Sequence, residues 1–149
     1  KLPVFGPIIK KINLAKFART LSSLIKTDIP IVKSFEITSQ ILGNRIYKKS
    51  LLESVEAVKS GTSLTEVLKK YPKLYPPIIV QMTAAGEETG TVDEVLAELA
   101  NFYEDEIDQV MKTLPSIIEP ILILVLGSAV ALMAVAIIMP MYSLTQHIN

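Results

Sequence analysis

With 149 residues, 50% of them hydrophobic and 20% charged, the chain has room for one domain with a true core yet is too apolar for an ordinary soluble protein. A formal net charge of +0 conceals a split: residues 1–73 hold 14 Lys and Arg against 5 Asp and Glu, while residues 74–119 set Lys112 against 10 acids. The absence of cysteine excludes disulfides and thiolate chemistry, and a basic half without clustered aromatics beside a phosphate-repelling acidic half excludes nucleic acid.

The opening KLPVFGPII carries two prolines and too short an apolar run for a signal peptide. A helix is predicted over NLAKFARTLSSLIKT, capped by Asn13, with Leu14, Phe17, Leu21, Leu24 and Ile25 on one stripe. DIPIVKSFEITSQIL restarts with Asp28 as cap and Pro30 in the first turn, where a missing N–H costs nothing. GNRIYKKSLLESVEAVKSG is framed by Gly43 and Asn44 in front and Gly61 behind. SLTEVLKKY opens on a capping box of Ser63 with Glu66 and stops before Pro72. PPIIVQMTAAGEE begins at Pro76 and Pro77. The short loops between these elements predict an all-α, antiparallel helical bundle of about six helices.

The stretch MTAAGEETGTVDEVLAELA contains a Gly-Glu-Glu-Thr-Gly knot. Gly86 and Gly90 are predicted to stop one helix and flank a turn, and Thr91 with Glu94 forms a second capping box that launches the next. From there Val92, Leu96, Leu99, Tyr103, Ile107, Val110 and Leu114 recur at helical spacing as a buried stripe. Glu94, Glu98, Asp105 and Asp108 lie opposite. Acids four apart repel by about a few tenths of a kcal/mol per pair, which a metal or a cationic protein surface would relieve. The plain alternative is a solvated helix face.

The helix leads through MKTLPSIIEPILIL, where Pro115 and Pro120 each remove a donor and are expected to kink the path. Ile121 to Met139 is a run of 19 uncharged residues, roughly 28 Å as a helix, and reads as a transmembrane span. Glu119 stands at its edge, where a carboxylate needs headgroups, water or a neighbouring chain, or simply snorkels. Gly127 and Ala131, with Ser128 beside them, make a small-xxx-small pair that lets another membrane helix approach. Every Lys and Arg precedes the span, which places the domain in the cytoplasm and the tail outside. The chain does not begin with Met, and is expected to be a fragment whose remainder could carry further spans.

Chemistry finds few footholds. The sole histidine, His147, lies beyond the span, no serine has a base in a recognisable arrangement, and no P-loop string occurs. Glu87 and Glu88 are adjacent acids on a turn, without the alternating oxygen ligands of a calcium loop. The expectation is a non-enzyme without cofactor or dedicated metal site. The competing readings are a tail-anchored membrane adaptor and a membrane-tethered metal-dependent hydrolase using the acidic helix.

The order FARTLSSLIKTDIPIVKSFEI, then NRIYKKSLLESVEAVKSGTSLTEVLKKYPKLYPPIIVQMTAAGEETGTVDEVLAELA, then a membrane run ending IIMPMYSL, resembles the type II secretion F-domain family. Its members are the GspF/PilC-type inner-membrane platform proteins of type II secretion systems and type IV pili. The resemblance covers about Leu2 to Leu144 and rests on Gly61 with Ser63 and Leu64, on Gly86-Glu87 with Gly90, and on the Glu119-Pro120 entry to the span. Such proteins usually contain two helical domains and three spans. It implies that residues 1–114 are the second cytoplasmic copy, 115–141 the last span and 142–149 a short extracytoplasmic tail. Asp28 stands where many relatives have glycine, and an Asp cap is expected to replace the tighter turn. The implied role is non-enzymatic: a platform in the bacterial inner membrane contacts a hexameric cytoplasmic ATPase, further platform copies and pilin or pseudopilin, and helps convert ATPase motion into pilin extraction or return. Glu94, Glu98, Asp105 and Asp108, with the Glu87/Glu88 turn, are the expected docking surface.

Overall fold

A computed structural model describes residues 5–146, with side-chain surroundings for residues 6–139; His147 and the end of the expected tail fall outside these bounds. Six α-helices make up the regular structure: α1 (Phe5–Lys26), α2 (Ile31–Ile41), α3 (Arg45–Lys59), α4 (Leu64–Lys69), α5 (Pro77–Thr89) and α6 (Val92–Gln146). Among the described residues there is no strand, as the sequence spacing predicts. The chain divides into two units, residues 1–108 and residues 109–149.

In the first unit α2 packs on α1 and α3, and α4 sits between α3 and α5. The predicted stripe of α1 supplies Leu14, Phe17 and Leu21 to the core, where they meet Phe35, Leu51, Leu68, Ile79, Leu96 and Leu99. Each such side chain contributes about 1.5–3 kcal/mol on leaving water. Three aromatic rings form the centre: Phe17 tilts against Tyr75 at 5.1 Å, and Tyr47 meets Tyr75 edge-on at 5.7 Å. Their hydroxyls are partnered, Tyr47 donating to the Leu74 carbonyl at 3.0 Å and Tyr75 sharing a bond with Ser50 at 3.2 Å. Burial raises both phenols, Tyr47 to about 12, so both remain neutral donors.

α1 runs antiparallel to the start of α6. The Ser22 hydroxyl donates to the Asp93 carbonyl at 2.7 Å, Arg19 forks onto Glu104 at 3.0 and 2.7 Å and reaches Asn101, and Lys11 pairs with Glu106 at 3.1 Å. The guanidinium of Arg19 holds the Glu104 carboxyl below its ordinary range. These bonds fix the register of two helices that are far apart in sequence.

Two predicted caps are displaced. Asn13 lies inside α1, buried, with its side-chain amide donating to the Ile9 carbonyl at 2.7 Å. The apolar stripe extends back to the buried Ile8, so the helix begins earlier than the Asn signal. Asp28 does not cap α2, whose N-cap is Pro30 without a side-chain bond. Instead it takes the left-handed conformation, φ 59°, that ends α1. The Asp28 amide donates to the Ile25 carbonyl and the Ile29 amide to the Leu24 carbonyl, the paired bonds of a Schellman motif. Asp28 therefore occupies a glycine's conformation, not only a glycine's position. Gly61 closes α3 the same way at φ 89°, and Asn44 caps its start by accepting from the Ile46 amide at 2.9 Å.

In the second unit every residue from Pro115 to Met139 is exposed, and an 18-residue window there has mean hydropathy 3.0 with none of it buried. An uncovered apolar helix of this length is a candidate membrane span. Neither Pro115 nor Pro120 ends the helix. The Thr113 and Ser116 hydroxyls bond back to the carbonyls of Gln109 and Thr113.

Because a left-handed residue with a Cβ is strained and glycine is not, Asp28→Gly is expected to raise stability by about 0.5–1 kcal/mol, a few degrees in the thermal midpoint. A lower midpoint for Asp28→Gly than for the parent chain, measured in detergent by circular dichroism, would contradict this assignment of the turn.

Candidate functional site

The Gly-Glu-Glu-Thr-Gly stretch forms a packed corner between α5 and α6. Gly86 does not stop a helix as predicted; α5 continues through it to Thr89. Glycine is required there by close approach, since a Cβ would lie 3.1 Å from the Val92 Cα and 3.2 Å from a Val95 methyl. Gly90 alone is the stop, at φ 75°, with its amide and that of Thr91 both donating to the Gly86 carbonyl. The predicted Thr91–Glu94 capping box gives way to a bond between the hydroxyls of Thr91 and Thr89 at 2.7 Å.

Glu87 and Glu88 part company at this corner. Glu88 is exposed, whereas Glu87 is half-buried and turned onto α4. Its two carboxylate oxygens accept from the Leu64 amide at 2.5 Å and the Thr65 amide at 3.0 Å. Ser63 accepts from the Glu66 amide at 3.2 Å, and the Val67 amide reaches the Ser63 carbonyl. Three free donors of the first turn of α4, the amides of Leu64, Thr65 and Glu66, are thereby satisfied, two of them by a residue more than 20 positions away. The Glu66 half of the predicted capping box turns instead to Lys69 at 2.7 Å. Glu87 is thus a structural clamp, its carboxylate engaged by the two α4 amides.

The remaining acids do form one face. At 100° per residue Glu94, Glu98, Asp105 and Asp108 fall within an arc of about 80° on α6, opposite the buried Leu96, Leu99 and Tyr103. All four are exposed. Glu94 and Glu98 also border a groove of about 430 Å³ whose α1 side carries Arg19 and Lys26. The stripe fades earlier than expected, with Val92, Ile107, Val110 and Leu114 only half-buried. Sequence reading missed Glu104 and Glu106, which border the buried face and anchor Arg19 and Lys11. Their signal was position: acids flanking an apolar stripe meet cations flanking another.

A mainly aliphatic cavity of about 380 Å³ beside the clamp is lined by Ile25, Ile31, Val58, Leu64 and Val92, with Glu87 as its one titratable group. Among the described residues no group of three or more His, Asp or Glu is gathered to hold a metal ion. In the second unit Glu119, Pro120, Gly127 and Ala131 are all exposed, and a Cβ on Gly127 would meet open space. The Ser128 hydroxyl donates to the Val125 carbonyl at 2.8 Å.

A sequence model of the family described as "Type II secretion system (T2SS), protein F" matches residues 17–140. The type IV pilus assembly protein PilC of Myxococcus xanthus is 34% identical over 148 residues, which cover 99% of this chain and 35% of that protein. PilC of Pseudomonas aeruginosa is 35% identical over 97% of the chain and 38% of its own length. The type II secretion system protein F of the same organism is 29% identical over 100% of the chain and 36% of its own length. The chain therefore spans little more than a third of the curated relatives it matches.

Leaving two buried amides of α4 without their charged acceptor makes Glu87→Ala costly, about 2–3 kcal/mol in unfolding free energy, and Gly86→Ala costs about 1–3 kcal/mol by forcing α5 and α6 apart. Glu88→Ala should stay within about 0.5 kcal/mol of the parent. Chemical unfolding of the three variants checks this, and equal midpoints for Glu87→Ala and Glu88→Ala would remove the clamp.

Proposed function

This chain belongs to the type II secretion system protein F family, and on that premise we propose that it supplies a helical domain and one membrane span to the platform of a type IV pilus or type II secretion machine. The domain works on the cytoplasmic side of the bacterial inner membrane, and the C-terminus faces outward. Its partners are the cytoplasmic hexameric ATPase, further platform copies and the pilin or pseudopilin that the machine extracts. The role is mechanical and not enzymatic.

The observation that carries this reading is the family match over residues 17–140, which takes in both the packed helices and the exposed apolar run. Two features support the mechanical role. α6 is one helix from Val92 to Gln146, with no loop along it. Its exposed acidic face presents Glu94, Glu98, Asp105 and Asp108 to solvent, where a cationic partner surface would complement them. Glu119 would meet headgroups or a neighbouring chain, and Gly127 with Ala131 would admit a second membrane helix.

Charge reversal separates docking from mere solvation. The double substitution Glu94→Lys with Glu98→Lys, introduced into the full-length protein, should abolish pull-down of the cognate ATPase and surface pili or secretion, while leaving the thermal midpoint within about 2 °C. Retained ATPase capture and normal assembly would mean that the face is only solvated.

A further inference from the structure

The basic half of the chain has a structural focus. Two hydrogen bonds tie separate helices to consecutive carbonyls of the α4–α5 connection: the Lys10 ammonium on α1 donates to Lys73 at 2.8 Å, and the Tyr47 hydroxyl on α3 donates to Leu74 at 3.0 Å. The first turns of α3 and the α4–α5 connection are thus brought to the same end of the first unit as Lys10. That end carries Lys10, Arg45, Lys48, Lys49, Lys70 and Lys73, all exposed except the half-buried Lys10. Glu53 faces them, pairing with Lys49 at 3.5 Å and accepting from the Tyr71 hydroxyl at 3.0 Å; Glu66, farther along, pairs with Lys69, and Glu106 of α6, with the exposed Asp105 and Asp108 near it, pairs with Lys11 beside Lys10. The cations still outnumber the acids. Amid these cations Ile46 is 63% exposed and Ile9 is 49% exposed, large aliphatic side chains standing in water on a capped, well-packed helix end.

We propose that this end docks on the surface of an anionic bilayer, its lysines and Arg45 against lipid phosphates and Ile46 entering the headgroup boundary. Cations ringing a protruding aliphatic side chain are the combination an interface rewards, because the charges meet phosphate while the apolar side chain leaves water. The cations sit on long flexible stems, which suits a fluid surface better than a fixed protein epitope. The chain also brings its own bilayer: a covalently attached span keeps the membrane at high effective concentration, so weak contacts suffice. The inference rests on that span and not on the pilus or secretion role.

The test uses the full chain in nanodiscs of phosphatidylcholine alone or mixed with phosphatidylglycerol, with recovery in the disc fraction verifying insertion in both. Brief acetylation read by mass spectrometry should find Lys48, Lys49, Lys70 and Lys73 about fivefold slower in the anionic discs, recovering at high salt. Lys26 and Lys59, at the opposite ends of α1 and α3, should react alike in both lipids. Ile46→Asp should reduce the protection without moving the thermal midpoint. Equal rates in the two lipids, the result expected if the basic end serves an acidic protein, would overturn the proposal, and so would equal protection of Lys26 and Lys59.

Discussion

A helix of six residues has no stability of its own in water, because nucleating a turn costs more than so few hydrogen bonds return. α4 exists because its first turn is closed from outside, by the carboxylate of Glu87 reaching the amides of Leu64 and Thr65. That single reach sets much else. It pins α5 to α4, and α4 in turn places Val67 and Leu68 in the core beside α3. In the same corner α5 passes very close to α6, which Gly86 permits by presenting only a hydrogen to Val92. The residues on which the family resemblance rests, Ser63 and Leu64 on one side and Gly86 and Glu87 on the other, are distant in sequence and joined in space. The Gly-Glu-Glu-Thr-Gly stretch is a joint.

The electrostatics divide accordingly. Acids at the border of the α6 apolar stripe, Glu104 and Glu106, are neutralised by α1 and hold the two helices in register. Acids on the outer face are left uncompensated along α6, and the cations of the first half collect at one end of the unit. Exposed pairs of this kind contribute little stability, about 0–1 kcal/mol each, so their arrangement bears on partners more than on folding. Under the proposed platform role, such a separation of charge would serve one contact with a protein and another with a membrane.

The fold was legible where apolar period and chain punctuation agreed. The stripe of Leu14, Phe17 and Leu21, the Asn44 turn and the Gly61 stop all lie where local rules place them, and the charge-free run from Ile121 stands uncovered. The misreadings share a cause, which is that short-range signals were outweighed by tertiary demands. Asn13 resembled a cap but lies under a helix that Ile8 extends backward. Asp28 resembled a cap but fills a left-handed stop. Gly86 resembled a stop but provides clearance for a neighbouring backbone. Glu87 was indistinguishable from Glu88 in sequence, since nothing local says which carboxylate faces an amide pair more than 20 residues upstream. The outer acidic face was legible from its helical period, because exposure on a helix is a local property.

The clamp is tested most directly by amide hydrogen exchange on the full chain in detergent, comparing the parent with Glu87→Ala at the Leu64 and Thr65 amides. With the carboxylate removed, exchange at these two positions should accelerate by at least about tenfold, with the Asn44-capped start of α3 changed far less. Unchanged exchange at Leu64 and Thr65 in Glu87→Ala would contradict the clamp, and would return Glu87 to the set of acids free to meet a partner.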